Sequence, residues 1–357
     1  MHPPSMLAIE ISATENRIVI AISIIIPVQA INDYLHEAVP IILARTDETV
    51  EVLVLPDGAS AIPTAWTVGR VRVAPTGPVG PGRKRDAGAR MARGEILAFL
   101  DDDAYPADGW LGAAMARFAD PTVCAVGGPG VTPEDDPFWY QVSGAVFSSR
   151  AGSGGARNRY VPVGTGATVD DWPTVNLLVR RSAFEHVGGF DTDIFPGEDT
   201  KLCLALVEKT GMRIVYEPRA VVFHHRRPLF WKHFQQVGRY ARCRGEFVRI
   251  HPRTSRRPLY VLPSLLLVWA VSGLAVAVLA RRPNVVVGLG VAAYGVLAVG
   301  GGVETYAARQ SLSLSIATAL AIVLTHLWYG VQFLRGIVDP RDATRSSPKS
   351  GFGGSVD

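Results

Sequence analysis

Cysteine is scarce: the 357-residue chain holds three, Cys124, Cys203 and Cys243. They are odd in number, widely spaced and outside any metal-ligand pattern, which argues against a disulfide framework and fits a reducing compartment. Their expected place is the core, as small buried hydrophobes. Charge is also sparse, at 19 % of residues against 48 % apolar. The first 250 residues nevertheless have the balance of an ordinary soluble domain, so the apolar excess is concentrated after Pro258. A secretory leader is not expected either. The apolar run Ile18 to Val28 is too short to span, and it is preceded by Glu10 and Glu15 where a leader needs positive charge. It reads as a buried strand. No internal repeat is apparent.

What is present is unevenly distributed. The formal charge is only +4, yet residues 226 to 257 hold ten Lys or Arg against one acid, Glu246. Nucleic-acid binding is one common meaning of such a cluster. This one abuts the apolar block, so the favoured reading is attraction to anionic lipid headgroups, at roughly 1 kcal/mol per basic residue near the surface. No nucleic-acid partner is expected.

Along the chain, Val50 to Leu55 is a second apolar β-branched run and ends in Pro56-Asp57-Gly58; Ile96 to Leu100 is a third and ends in Asp101-Asp102-Asp103. Arg83 to Arg93 between them has helical character. Strands without polar alternation, separated by helix, predict a covered parallel sheet and an α/β class. Ligands of such sheets bind beyond the carboxyl ends of the strands, where Asp57 and the aspartate triplet fall. The Gly-, Ser- and Arg-rich stretch 150 to 159 reads as a mobile loop. Ser182 to Val187 reads as a short helix stopped by Gly188-Gly189, Asp199 to Lys209 as a helix entered through Glu198-Asp199, Arg213 to Tyr216 as a strand, and Ala220 to Phe223 as another.

The apolar block divides into Tyr260–Ala280, Val285–Gly302 and Leu312–Leu334. The first is 21 residues without a charge, enough for a hydrocarbon core of about 30 Å. Three spans are expected, with the preceding domain on the cytosolic side because basic residues flank the first. Arg281-Arg282 run against that rule, which leaves the direction of the last two spans open. The tail from Pro340, rich in Ser, Gly and Arg, reads as disordered. The expected division is 1–228, an α/β domain; 229–258, a basic amphipathic interfacial region; 259–338, transmembrane; and 339–357, tail.

Three consecutive carboxylates at the end of an apolar strand repel one another, and a hard divalent cation relieves that repulsion. Alternation points Asp101 and Asp103 one way and Asp102 the other. Around this triplet the sequence resembles the family 2 glycosyltransferases, a GT-A fold group, over roughly Ser23 to Pro228. The matching motifs occur in order: Ser23-Ile-Ile-Ile-Pro27-Val28, Val54-Leu-Pro-Asp57-Gly-Ala-Ser60, Gly82-Arg83-Lys-Arg85-Asp86-Ala-Gly88, Leu100-Asp101-Asp102-Asp103, Asn176-Leu-Leu-Val-Arg-Arg181, Val187-Gly-Gly-Phe-Asp191 and Gly197-Glu198-Asp199. The family's donor-side helix usually ends in Arg-Asn, so Asp86 is a departure.

The resemblance implies a Rossmann-like GT-A domain that binds a nucleoside-diphosphate sugar. It places Pro27, Asp57, Arg83, Arg85, Asp101 and Asp102 on the donor side. Asp101, Asp103 and one of His224 or His225, with His224 favoured, would bind Mn2+ or Mg2+. The Glu198-Asp199 pair would supply the base, with Asp199 taking the acceptor proton. Trp172, Gln236, Arg239 and Tyr240 fall on the acceptor or membrane side. Gln236-Val-Gly-Arg239-Tyr240 is similar to an element of processive polysaccharide synthases; alternatively Phe230, Phe234, Val237 and Tyr240 form the lipid-facing stripe of an interfacial helix. The expected activity is inverting transfer to a lipid-linked or polyprenyl-phosphate acceptor in cell envelope biosynthesis, by a multi-pass protein of the plasma membrane. A processive synthase and a non-catalytic membrane scaffold are the alternatives.

Overall fold

The computed structural model describes residues 20–66 and 69–340. The start of the first expected strand, Ile18 and Val19, and the tail beyond 340 lie outside the described residues.

The chain opens with strand β1 (Ile22–Pro27), helix α1 (Asp33–Arg45), β2 (Val50–Leu55), β3 (Val71–Val73), α2 (Pro81–Met91) and β4 (Ile96–Leu100). Next come β5 (Ala104–Pro106), α3 (Trp110–Arg117), β6 (Val123–Gly127), β7 (Gly130–Val131), α4 (Phe138–Ser148) and the single turn α5 (Arg150–Ser153). The second half of the sheet region comprises β8 (Ala167–Val169), β9 (Asn176–Arg180), α6 (Arg181–Val187), α7 (Glu198–Thr210), β10 (Arg213–Tyr216) and β11 (Val222–His224). Five helices close the chain: α8 (Trp231–Ile250), α9 (Pro252–Ser255), α10 (Pro258–Ala280), α11 (Val285–Arg309) and α12 (Leu312–Val338).

Eight strands form one sheet in the order β3-β2-β1-β4-β9-β6-β10-β8. Every residue of β1, β2 and β4 is buried, as both-face coverage requires. Ile22, Ile24 and Ile26 pack with Leu35, Val39 and Ile42 of α1 on one face. The residue between them, Ile25, packs with Phe99, Phe184, Phe190 and Leu202 on the other. The sheet is mixed, which corrects the expected all-parallel arrangement: β9 runs antiparallel to both β4 and β6, and β8 antiparallel to β10. A small second sheet, β5-β11-β7, stands beside the end of β4.

Residues 150–159 also depart from the loop expectation and form α5 followed by a 3-10 segment, Gly154–Arg159. Ser149 caps α5 by accepting from the Gly152 amide at 2.9 Å, and Arg150 pairs with Glu304 of α11. Local capping and a long-range ion pair thus order a composition that reads as flexible.

Helices α10, α11 and α12 are long and apolar enough to cross a membrane. The lipid-facing stripe expected along α8 is split: Phe230 and Tyr240 are exposed, whereas Val237 is buried and Phe234 partly so. Val237, Gly238, Ala241 and Gly245 are buried, and Trp328 of α12 donates from Nε1 to the Phe234 carbonyl at 2.6 Å. The two helices approach closely because glycine faces backbone: a Cβ on Gly245 would stand 2.1 Å from the Phe333 carbonyl oxygen.

Gly245→Ala is therefore expected to destabilise the detergent-purified protein by about 1–3 kcal/mol through overpacking, read as a fall in Tm. Gly295→Ala, at a helical position with nothing within 4 Å of the added Cβ, is expected to leave Tm unchanged or raise it slightly. Equal effects at both sites would contradict this packing.

Candidate active site

The carboxyl ends of β1, β2 and β4 lie side by side and deliver Pro27, Asp57 and the aspartate triplet to one edge of the sheet. Asp57 is held by Lys84, whose ammonium lies 2.7 Å from Oδ1 and also donates to the Leu55 carbonyl and the Thr76 hydroxyl. Sequence reasoning passed over Lys84 in favour of its neighbours Arg83 and Arg85. Its signal was its place one residue before Arg85, but a buried lysine cannot be told from a surface one by spacing alone.

Arg85 is the junction of the site. Its side chain is 4 % exposed, with Nη2 2.7 Å from Asp101 Oδ1 and Nη1 3.1 Å from Glu198 Oε1. One guanidinium thus joins the end of β4 to the start of α7, although Arg85 and Glu198 are 113 residues apart in the chain. Those carboxylates, Asp101 foremost, hold its pKa above the ordinary arginine value against burial. Arg83 is engaged elsewhere: it is exposed and forks onto Asp193, with Nη2 2.6 Å from Oδ2.

The second sheet supplies the next group. Pairing of β11 with β5 sets His224 opposite Ala104 and so beside Asp103. Asp101, Asp103 and His224 each offer a ligand atom within 4.8 Å of the others. His224 Nε2 is 3.2 Å from Asp103 Oδ1, and Arg227 reaches Oδ2 at 3.1 Å. Burial opposes ionisation of Asp103, but His224 and then Arg227 outweigh it and hold the carboxyl well below its usual range. Burial and the neighbouring Arg226 lower the pKa of His224, which keeps the imidazole neutral as a ligand must be.

Two hard carboxylate oxygens and one borderline nitrogen fit Mn2+ or Mg2+, with the nitrogen favouring Mn2+. Ligation through Nε2 asks Nδ1 to carry the ring proton, so Arg226, whose Nη1 is 2.7 Å from Nδ1, has to give way. Asp101 and Asp103 offer their oxygens without that rearrangement.

The adjacent residues are engaged elsewhere. His225 lies between Asp136 Oδ1 at 2.5 Å and Glu37 Oε2 at 2.9 Å. Asp102 accepts from Asn32 Nδ2 at 2.6 Å and does not join the metal-type cluster. Burial, then the charge on Asp103, pushes its pKa up to about 7.

The acidic pair opens α7. Gly197 precedes it at φ 119°, a conformation that favours glycine, and packs so tightly that an added Cβ would meet Cys243 Sγ at 2.6 Å. Glu198 is buried, and its two oxygens accept from Arg85 and from the Gly197 amide. Burial, then Asp199, raises its pKa to about 7. Asp199 is partly exposed and accepts from the Thr200 amide at 2.7 Å. Burial and then the nearby Asp171 raise its pKa.

Asp171 was not foreseen. It is buried between Arg244 of α8, at 2.5 Å, and Arg159, at 3.1 Å, and accepts from the Thr200 hydroxyl at 3.0 Å. Burial works against its ionisation, yet Arg244 and Arg159 hold its carboxyl far below the usual range.

Several expectations are corrected by these contacts. The run of basic residues is not a free headgroup-facing cluster: Arg226 is buried, while Arg227, Arg242, Arg244, Arg253 and Arg257 pair with Asp103, Asp339, Asp171, Glu208 and Asp170. Trp172 is 1 % exposed, stacks on Tyr216 at 5.0 Å and donates to the Gly128 carbonyl, so it belongs to the core and not to an acceptor surface. On α8, Gln236 is partly exposed and Arg239 and Tyr240 are exposed. Desolvation of its hydroxyl, then the charges of Asp199, Glu198 and Asp101, raise the pKa of Tyr240.

Residues 23–188 match the family described as Glycosyl transferase family 2. A pre-mycofactocin glycosyltransferase of Mycobacterium tuberculosis is 30 % identical over 251 residues, 70 % of this chain and 49 % of that protein. A glucosyl-dolichyl phosphate glucuronosyltransferase of Haloferax volcanii is 25 % identical over 158 residues, 39 % of this chain and 46 % of the relative. The chain thus spans about half the length of these curated relatives. Among solved structures, a mannosyltransferase from Pyrobaculum calidifontis in complex with GDP-Man and Mn2+ aligns with a TM-score of 0.56 at 20 % identity, covering 85 % of this chain and 86 % of that one. Family match, relatives and sheet topology agree: the chain carries a family 2 glycosyltransferase domain of GT-A fold, followed by three helices long and apolar enough to span a membrane.

Proposed function

We propose that the protein is an inverting glycosyltransferase that moves one sugar from a nucleoside-diphosphate donor to a lipid-linked acceptor at the cytosolic face of the membrane. The observation that carries this reading is the convergence, through Arg85, of the Asp101–Asp103–His224 cluster with the Glu198-Asp199 pair. In a GT-A domain the nucleotide sugar lies beyond the carboxyl edge of the sheet, and that edge carries Asp57 and Asp101. The solved structure of like fold, in complex with GDP-Man and Mn2+, supports a nucleotide sugar and a divalent ion as ligands. The relative named for a dolichyl phosphate substrate, together with the apolar helices, supports a lipid-linked acceptor.

A divalent ion held by Asp101, Asp103 and His224 would supply charge neutralisation for the departing diphosphate. The residues of the chain do the rest. Asp57, fixed by Lys84, is placed to hold the donor base. Asp199, exposed to the cleft and raised in pKa, takes the proton of the acceptor hydroxyl as its oxygen bonds to the anomeric carbon and the bond to the diphosphate breaks. Glu198 has both oxygens occupied, so its part is to fix Arg85 and the start of α7. Asp102 and Arg83, engaged with Asn32 and Asp193, are assigned no direct donor contact.

Asp199→Asn is expected to lower kcat by at least about 10² while leaving donor affinity within a few-fold, because a general base contributes about 10²–10⁴. Unchanged turnover in nucleoside-diphosphate release with a membrane lipid extract as acceptor would remove Asp199 from the reaction. Long polymer in place of a single addition would favour a processive synthase, for which the exposed Arg239 and Tyr240 are the relevant residues.

Asp103→Asn is expected to abolish the Mn2+ dependence of nucleoside-diphosphate binding measured by calorimetry; affinity that still rises with Mn2+ to the same extent would rule out this ligand.

The acid limb of the kcat–pH profile should lie above the ordinary aspartate value, since the base must be deprotonated and its pKa is raised. Removing the negative charge of Asp171 lowers that pKa, so Asp171→Asn is expected to move the limb to lower pH. A shift to higher pH would contradict the assignment.

A further inference from the structure

Helix α12 has 27 residues, a length of about 40 Å at 1.5 Å per residue. That is enough to cross a bilayer, yet it is attached to the catalytic domain at both ends. At its start, Arg309, the last residue of α11, pairs with Glu134 at 2.9 Å and donates to the Thr132 carbonyl, and Leu314 packs with Val142 and Val146 of α4. In its middle, Thr325 meets His233 of α8 at 3.0 Å. At its end, Asp339 lies 2.8 Å from Arg242, and Gly336 is so close to α8 that an added Cβ would stand 2.1 Å from the Arg242 carbonyl oxygen. A polar domain cannot occupy both sides of a bilayer. Standing upright, α12 would also draw α8, with Lys232, Arg239, Arg242 and Arg249, into the hydrocarbon.

The face of α12 turned away from these contacts is apolar from Leu312 to Leu327: Leu312, Ile316, Leu320, Leu324 and Leu327 are 66, 54, 64, 44 and 44 % exposed. Their spacing of four, four, four and three residues makes one continuous stripe. We propose that α12 does not span the membrane but lies along its surface, with this stripe sunk among the acyl chains of the leaflet that faces the catalytic domain. The occupant of the stripe is bilayer lipid, because the stripe is continuous with α10 and α11, whose outer faces expose Leu265, Val271, Leu274 and Leu289. In this arrangement the α10–α11 hairpin is the part that enters the bilayer, and the chain leaves α12 on the same side as the catalytic domain. The catalytic domain is thereby held flat against the lipid surface and not on a stalk. The inference is independent of which donor or acceptor the site takes.

Full-length protein in sealed vesicles, carrying Glu185→Cys on the catalytic surface, Gln310→Cys or Asp339→Cys, separates the two arrangements with a membrane-impermeant maleimide; the three native cysteines are buried. The expected result is that all three sites label from the same side. Labelling of Asp339→Cys only from the side opposite Glu185→Cys overturns the proposal. A second reading uses nitroxide labels at the five stripe positions and their relative accessibility to oxygen and to a polar nickel chelate. Near-uniform, shallow depth supports α12 in the surface plane, whereas a profile deepest at Leu320 and shallow at Leu312 and Leu327 overturns it.

Discussion

A buried guanidinium between two carboxylates holds this site together. Arg85 is drawn from water into a place where each remaining charge has to be matched, and Asp101 and Glu198 match it from opposite halves of the chain. Taking one partner from such a buried set costs about 3–5 kcal/mol, because an uncompensated charge is left behind. The interaction therefore fixes a distance as well as a charge state: the end of β4, where the aspartate cluster sits, cannot drift from the start of α7, where Asp199 sits. Asp199 is left as the carboxylate not consumed by this pairing, partly exposed and raised in pKa. In the proposed reaction the base is therefore the acid that the arginine does not hold.

A second set of contacts ties the cleft to the apolar helices. Asp171 is clamped by Arg159 and by Arg244 of α8, and gives its other oxygen to Thr200, the residue after Asp199. Helix α8 packs along α12 through glycines, and Gly197 leans on Cys243 and Phe247 of the same helix. Helices α7, α8 and α12 are consequently one packed unit. If the proposed lipid-linked acceptor reaches the site through the apolar helices, it meets the start of α7 already fixed by its packing against α8.

Much of the sheet was legible in the sequence because buried β-branched runs ending in acidic turns have few other readings. Val50 to Leu55, Ile96 to Leu100 and Arg213 to Tyr216 are strands with the expected bounds. Strand direction was not legible: β9, Asn-Leu-Leu-Val-Arg, has the composition of a covered strand whichever way it runs. Alternation at Asp101, Asp102 and Asp103, and at His224 and His225, separates the residues that converge from those that do not, since it needs only local geometry. What local pattern could not supply was the partner of each charge. Lys84, Arg226 and Asp171 look like surface residues until a segment 29 to 96 positions away closes over them. For the same reason the basic stretch before α10 read as a headgroup cluster although half of its ten basic residues pair with internal acids. Trp172 read as an acceptor residue because nothing in its neighbourhood shows that Gly127, 45 positions earlier, leaves room for its ring.

The central claim is that one ion site and one base share a donor cleft at the end of β4. An anomalous difference map from a crystal of the full chain grown with MnCl2 and a nucleoside diphosphate tests it most directly. The account predicts a single strong manganese peak touching Asp101 and Asp103, with the diphosphate beside it and the Asp199 carboxylate facing the open side of the nucleotide. A peak elsewhere, or a nucleotide bound with Asp199 on a separate surface, would contradict it.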